Sequence, residues 1–78
     1  MYYIYAILSE INNYIYVGLT ANIDERFKRH NSGRERTTKS YRPFRLLFLS
    51  DIGERKTARK VEIYLKSGVG KEFLRTLI

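Results

Sequence analysis

The chain has 78 residues, of which 44% are hydrophobic and 14% aromatic, with one proline, no cysteine and a formal net charge of +7. A chain of this length can hold only one core, burying about 60% of the surface its unfolded form exposes, and the apolar content argues against disorder. Disulfides and thiolate metal sites are excluded, and no stretch approaches the roughly 20 apolar residues of a membrane helix, so one domain over residues 1–78 in a reducing, cytoplasmic setting is expected.

Residues 2–8, YYIYAIL, alternate as a strand does. With no basic leader before them and Ser9 and Glu10 directly after, they are expected to be a strand and not a signal peptide. EINN, residues 10–13, has turn composition, and residues 14–19 alternate again, so the two runs predict a hairpin. Ile4, Ala6 and Leu8 share one face of the first strand and Tyr3, Tyr5 and Ile7 the other. In the second strand Ile15, Val17 and Leu19 oppose Tyr14, Tyr16 and Gly18. The aliphatic face is the expected core. Tyr5 and Tyr16 are expected to look out from the other face as a pair, since cross-strand neighbours have Cβ atoms about 5 Å apart and diagonal ones somewhat more. Tyrosine is also an ordinary strand former with an amphipathic tip, which is the plain structural alternative.

Asn22, followed three residues later by Glu25, predicts a capped helix with a reciprocal partner over residues 23–31, stopped by Asn31, Ser32 and Gly33. Ile23 and Phe27 define its apolar face, and His30 falls near the middle of that face with Arg26 beside it. Residues 33–43 form a polar connection rich in arginine and lysine. Together with ERKTARK at 54–60, it gives the +7 surplus a location and points to a polyanionic partner, nucleic acid before anionic membrane. FRLLFLS, residues 44–50, is nearly continuous in apolar residues and predicts a third strand, mostly buried. Residues 55–66 have helical spacing, with Ala58, Val61 and Leu65 in one stripe and Glu62 about 40° from Ala58 on the same side. Ser67 and Gly68 punctuate, and KEFLRTLI at 71–78 is expected as a last short helix, giving the order β-β-α-β-α-α.

Arg26, His30 and Glu62 interrupt apolar stripes, and an unpaired charge there costs several kcal/mol in a domain held together by about 5–15 kcal/mol. Each must meet solvent, another of the three or a ligand. A satisfied core histidine and an Arg26–Glu62 ion pair are the structural alternatives. Taken with the two phenols, the set suits phosphodiester hydrolysis, which needs a base, positive charge at phosphorus and usually a divalent metal. Arg26 suits phosphate oxygens. Glu62 suits Mg²⁺ or Mn²⁺, which can be held by one carboxylate plus substrate phosphate and waters. A phenol acting as base near neutrality would need its pKa lowered by about 2–3 units, with Arg26, metal-bound water and a neutral His30 as the means. All five groups are expected to open onto one shared hollow.

These residues resemble the signatures of the GIY-YIG nuclease family. The first appears as Tyr3-Ile4-Tyr5 and the second as Tyr16-Val17-Gly18, with ten residues between Tyr5 and Tyr16. Arg26, His30 and Glu62 fall where that family has its helix arginine, a frequent histidine and its metal-binding glutamate. The resemblance implies an α/β (α+β) fold, a small three-stranded, mainly antiparallel sheet flanked by helices. It also implies Mg²⁺-dependent cleavage of DNA in repair, recombination or mobile-element processing, with Tyr5 preferred over Tyr16 as the base. Tyr3 departs from the motif glycine. Where some members carry an asparagine about a dozen residues after the glutamate, this chain reads SGVGKEF, with Lys71 as the nearby phosphate-seeking side chain. Gly18 is expected to let a helix or a phosphate come close to the strand. Nucleic-acid contacts are expected from Arg34, Arg36, Lys39, Arg42 and Lys71, with target choice left to a protein partner and no membrane involved. The alternative from another class is a module that binds nucleic acid without cutting it.

Overall fold

The computed structural model describes residues 1–78. Strand β1 (Tyr2–Ser9) is followed by β2 (Ile15–Thr20), helix α1 (Ile23–Ser32), a 3₁₀ turn (Lys39–Tyr41), β3 (Phe44–Gly53), α2 (Arg55–Lys66) and α3 (Gly68–Arg75). All three strands are antiparallel, in the order β2-β1-β3. The fold is therefore α+β with the expected element order, and no helix is long and apolar enough to cross a membrane.

β3 pairs with the edge of β1 that the hairpin leaves free, which puts β1 at the centre of the sheet, and this placement decides where the tyrosines go. Ile4 through Ser9 are all buried, so both faces of β1 are core. On one face Ile4, Ala6, Leu8, Ile15 and Val17 pack with Ala58, Leu65 and Leu74 of α2 and α3. On the other, Tyr5, Ile7 and Phe44 pack with Tyr14, Tyr16, Tyr41 and the Ile23 and Phe27 side of α1. Tyr5 thus does not look out from the sheet. It is 0% exposed, while Tyr16, on an edge strand, is half-buried.

β3 also departs from expectation. It runs three residues further than its apolar run, to Gly53, and is an edge strand with Leu46 and Leu49 each 43% exposed. Irregular register against β1 between Ala6 and Ile7 brings both leucines to the Tyr5 face, beyond the reach of α1, while Phe48 meets Phe73 edge-on on the opposite face. A continuous apolar run reads as buried only where both faces have cover, and here one face of β3 does not.

The helix ends follow local chemistry. The Asn22 side chain accepts from the Glu25 amide, but the reciprocal half of the cap is missing because the Asn22 amide donates to Thr20 Oγ1 at 3.1 Å. Gly33 closes α1 at φ 83°, a left-handed geometry suited to glycine. α2 spans its expected residues. α3 begins at Gly68, earlier than expected, because Ser67 caps it by accepting from the Gly70 amide. Gly70 has no room for a side chain against the Tyr64 carbonyl and Leu65 backbone, so this glycine permits a tight α2–α3 corner.

Candidate active site

The centre of the site is a phenol and an imidazole. Tyr5 Oη lies 2.8 Å from His30 Nε2, with both groups buried. The Tyr16 ring closes the group, 6.3 Å from the Tyr5 ring and 5.0 Å from the imidazole between centroids. Pairing of Tyr5 with Gly18 and of Ile7 with Tyr16 makes the tyrosines diagonal neighbours. It also explains Gly18. A Cβ there would lie 2.8 Å from Tyr5 Cε1 and closer still to Cζ and the hydroxyl, so the bare glycine makes room for the Tyr5 ring itself and not for a helix or phosphate.

α1 delivers His30 and Arg26 one turn apart to this face. Arg26 pairs not with Glu62 but with Glu35, whose Oε2 lies 3.4 Å from Arg26 Nε. That nitrogen is buried and makes no hydrogen bond, so the contact is an ion pair without hydrogen-bond geometry. Arg29 takes the same oxygen at 2.8 Å. The Arg29 hydrogen bond, aided by the charge of Arg26, holds the Glu35 carboxyl below its ordinary value.

Burial pushes the Tyr5 pKa up, as do Tyr16, Glu35 and Glu62, against the lowering effect of Arg26. Arg26 and the neutral His30, two of the expected means, therefore do not acidify the phenol. A fully enclosed ring loses more by ionising away from water than one guanidinium returns. Burial lowers the His30 pKa, so the imidazole is neutral near pH 7.

Glu62 comes from α2, which packs on the other side of the sheet. It is 6% exposed, and its two oxygens are held by Arg59 Nη1 at 2.9 Å and Lys66 Nζ at 3.2 Å. No hydrogen bond or ion pair links it to Tyr5, Tyr16, Arg26 or His30. It nevertheless lies near enough for its charge to act on the Tyr5 phenol. No group of three or more His, Cys, Asp or Glu residues gathers as a metal cluster. The expected shared hollow is not formed either. The surface depression, about 290 Å³, lies on the outer side of α1 between Glu25, Lys28, Arg29, Ser32 and Arg34. Among the expected nucleic-acid contacts, Arg34, Arg36, Lys39 and Arg42 are exposed on the connection after α1. Lys71 is not free. Half-buried, it donates to the Ile15 carbonyl at 2.9 Å and ties α3 to β2, and burial lowers its pKa.

Two residues of this region have contacts that the sequence did not indicate. Asn31 pairs with Phe44 through both amide atoms, Oδ1 accepting from the Phe44 amide at 2.7 Å and Nδ2 donating to its carbonyl at 3.3 Å, and so moors the end of α1 to β3. Thr38, 0% exposed, lies with Oγ1 2.8 Å from His30 Nδ1. A threonine inside a basic loop looks like any other loop residue until the loop folds back over α1.

Comparison with known proteins identifies the family. Residues 1–74 match the model of the GIY-YIG catalytic domain. A search of curated proteins returns no match. Among solved structures, the chain is similar to the solution NMR structure of the UPF0213 protein BH0048 from Bacillus halodurans, with 31% identity and a TM-score of 0.59 over 99% of this chain and 85% of that one. With its tyrosines, helix arginine, histidine and glutamate all within the matched span, the chain belongs to the GIY-YIG family of nuclease domains.

Proposed function

We propose that this protein is a metal-dependent endonuclease that hydrolyses phosphodiester bonds of DNA, in repair, recombination or mobile-element processing. The observation that carries the reading is the buried Tyr5–His30 pair, 2.8 Å apart, beside Tyr16 and Arg26. A neutral phenol is a poor base alone. Paired with a neutral imidazole it can accept a proton from the attacking water at Oη while its own proton passes to Nε2, so no free phenolate forms in the buried site. The water oxygen then bonds to phosphorus as the leaving oxygen departs. Arg26 offsets the charge that builds on the phosphate, and Tyr16, whose hydroxyl has no hydrogen bond within the chain, is placed to orient the water or a phosphate oxygen.

Glu62 fits a hard divalent cation: it is a single carboxylate, held between two cations, and Mg²⁺ or Mn²⁺ can complete its shell with substrate phosphate and waters. Bound there, the ion would neutralise charge on the phosphate and leaving oxygen. Arg59 and Lys66 are exposed enough to release the carboxylate toward a metal. Arg34, Arg36, Lys39 and Arg42 supply contacts to the backbone, which carry no sequence information, so target choice is assigned to a protein partner. The same engagement of both Glu62 oxygens favours one other reading, a module that binds DNA and does not cut it.

The test is incubation with supercoiled, branched and single-stranded DNA in Mg²⁺, Mn²⁺ or chelator, alongside Glu62→Ala. A nuclease gives a metal-dependent product that Glu62→Ala loses while its DNA affinity stays. No product from any substrate, with binding intact, selects the binder.

A further inference from the structure

The nuclease reading leaves Thr38 without a role, yet its hydroxyl is the only group that touches the far side of the imidazole with a hydrogen bond. Thr38 Oγ1 lies 2.8 Å from His30 Nδ1 and 3.5 Å from the Glu35 carbonyl oxygen, and His30 Nε2 lies 2.8 Å from Tyr5 Oη. The four groups therefore form one line, Tyr5, His30, Thr38 and the Glu35 carbonyl. A neutral imidazole has one N–H, and a carbonyl can only accept. If the Thr38 proton points to that carbonyl, Oγ1 must accept from Nδ1–H. Nε2 is then bare and accepts from the phenol.

The phenol end of the line favours the same direction without fixing it. Tyr5 is 0% exposed and its hydroxyl has no second partner in the chain. With the line reversed, Nε2–H would donate to the phenol oxygen and the phenol proton would have no acceptor within the chain. The turn that holds Thr38 is itself fixed, since the Glu35 carbonyl also accepts from the amides of Thr38 at 3.2 Å and Lys39 at 3.0 Å.

We infer that Thr38 is a positioning residue: by accepting from Nδ1–H, it holds His30 in the tautomer whose Nε2 can take the Tyr5 proton. The tautomer concerns only the Tyr5–His30–Thr38 contacts, whereas its consequence for turnover rests on the nuclease reading.

Long-range ¹H–¹⁵N spectra of the free, ¹⁵N-labelled protein test it without substrate. In the wild type, His30 should show a protonated Nδ1 and an unprotonated Nε2. Thr38→Val, which keeps the shape and removes the acceptor, should shift the ring toward the Nε2–H form, and Thr38→Ser should restore the wild-type pattern. On a cleaved DNA substrate, Thr38→Val should lower kcat about 10-fold or more with KM nearly unchanged, and Thr38→Ser should recover it. A wild-type ring protonated at Nε2 overturns the inference, as does a Thr38→Val ring with the wild-type tautomer. Should Thr38→Val fail to fold, the wild-type and Thr38→Ser spectra still decide. Absence of cleavage by the wild type would remove the nuclease reading and leave the tautomer, read from the spectra, unaffected.

Discussion

Adding one methyl group at Gly18 tests the packing of the site most directly. In Gly18→Ala the new Cβ would sit 2.8 Å from Tyr5 Cε1 and nearer to Cζ and Oη. The backbone at Gly18 is not in the left-handed region, so alanine itself is unstrained and the whole penalty falls on the ring. That ring is 0% exposed and pinned to His30, so it has no slack. Overpacking of this kind costs about 1–3 kcal/mol, and pushing the phenol off Nε2 adds about 1–3 kcal/mol for buried groups left unpaired. Loss of glycine from the unfolded chain returns about 0.4–1 kcal/mol. The net loss is about 1–5.6 kcal/mol, which for a domain of this size lowers Tm by at least about 4 °C. Thermal unfolding followed by circular dichroism measures it. Gly68→Ala is the control, since its Cβ would meet nothing within 4 Å, and it should melt at or slightly above the wild-type temperature. If Gly18→Ala melts with the wild type, the ring can move freely and the packed phenol–imidazole pair is wrong.

Further outcomes follow from charge. Burial lowers the His30 pKa from its ordinary 6.5, so its contribution to stability is complete above pH 6.5 and lost as pH falls toward the folded-state value; melting against pH should show this loss begin below pH 6.5, and His30→Gln should lack it. Burial raises the Tyr5 pKa, so stability is complete below its ordinary 10.0 and falls as pH rises beyond it; Tyr5→Phe should remove part of that alkaline loss, the remainder including Tyr14, shifted the same way. DNA affinity should fall steeply with salt, and alanine at Arg34, Arg36, Lys39 or Arg42 should flatten the log–log slope by about 0.9 for each duplex phosphate that is no longer neutralised. Lys71→Ala should leave that slope unchanged, because its ammonium is engaged by the Ile15 carbonyl; a flattened slope there would show that this hydrogen bond opens to bind DNA.

The sequence by itself determined the features set by neighbours along the chain. Alternation placed β1 and β2 and sorted their side chains correctly between two faces, and the spacing of Ala58, Glu62 and Leu65 gave the bounds of α2. Asn22 and Gly33 marked the ends of α1 because capping is satisfied within a few residues. The separation of Tyr5 from Tyr16, with Arg26, His30 and Glu62 downstream, was enough to indicate the family. Only the tertiary structure decided what those side chains meet. That β1 lies between β2 and β3 depends on pairing across the whole chain, and this central position buries Tyr5 and raises its pKa instead of lowering it. That β3 is an edge strand is the same fact seen from outside, and it exposes leucines whose sequence reads as core. Arg26 meets Glu35, and His30 meets Thr38, because the connection after α1 folds back over that helix. Periodicity reports which way a side chain faces its own element, but its solvent, its charge partner and its proton are set by segments distant in the chain that packing brings alongside.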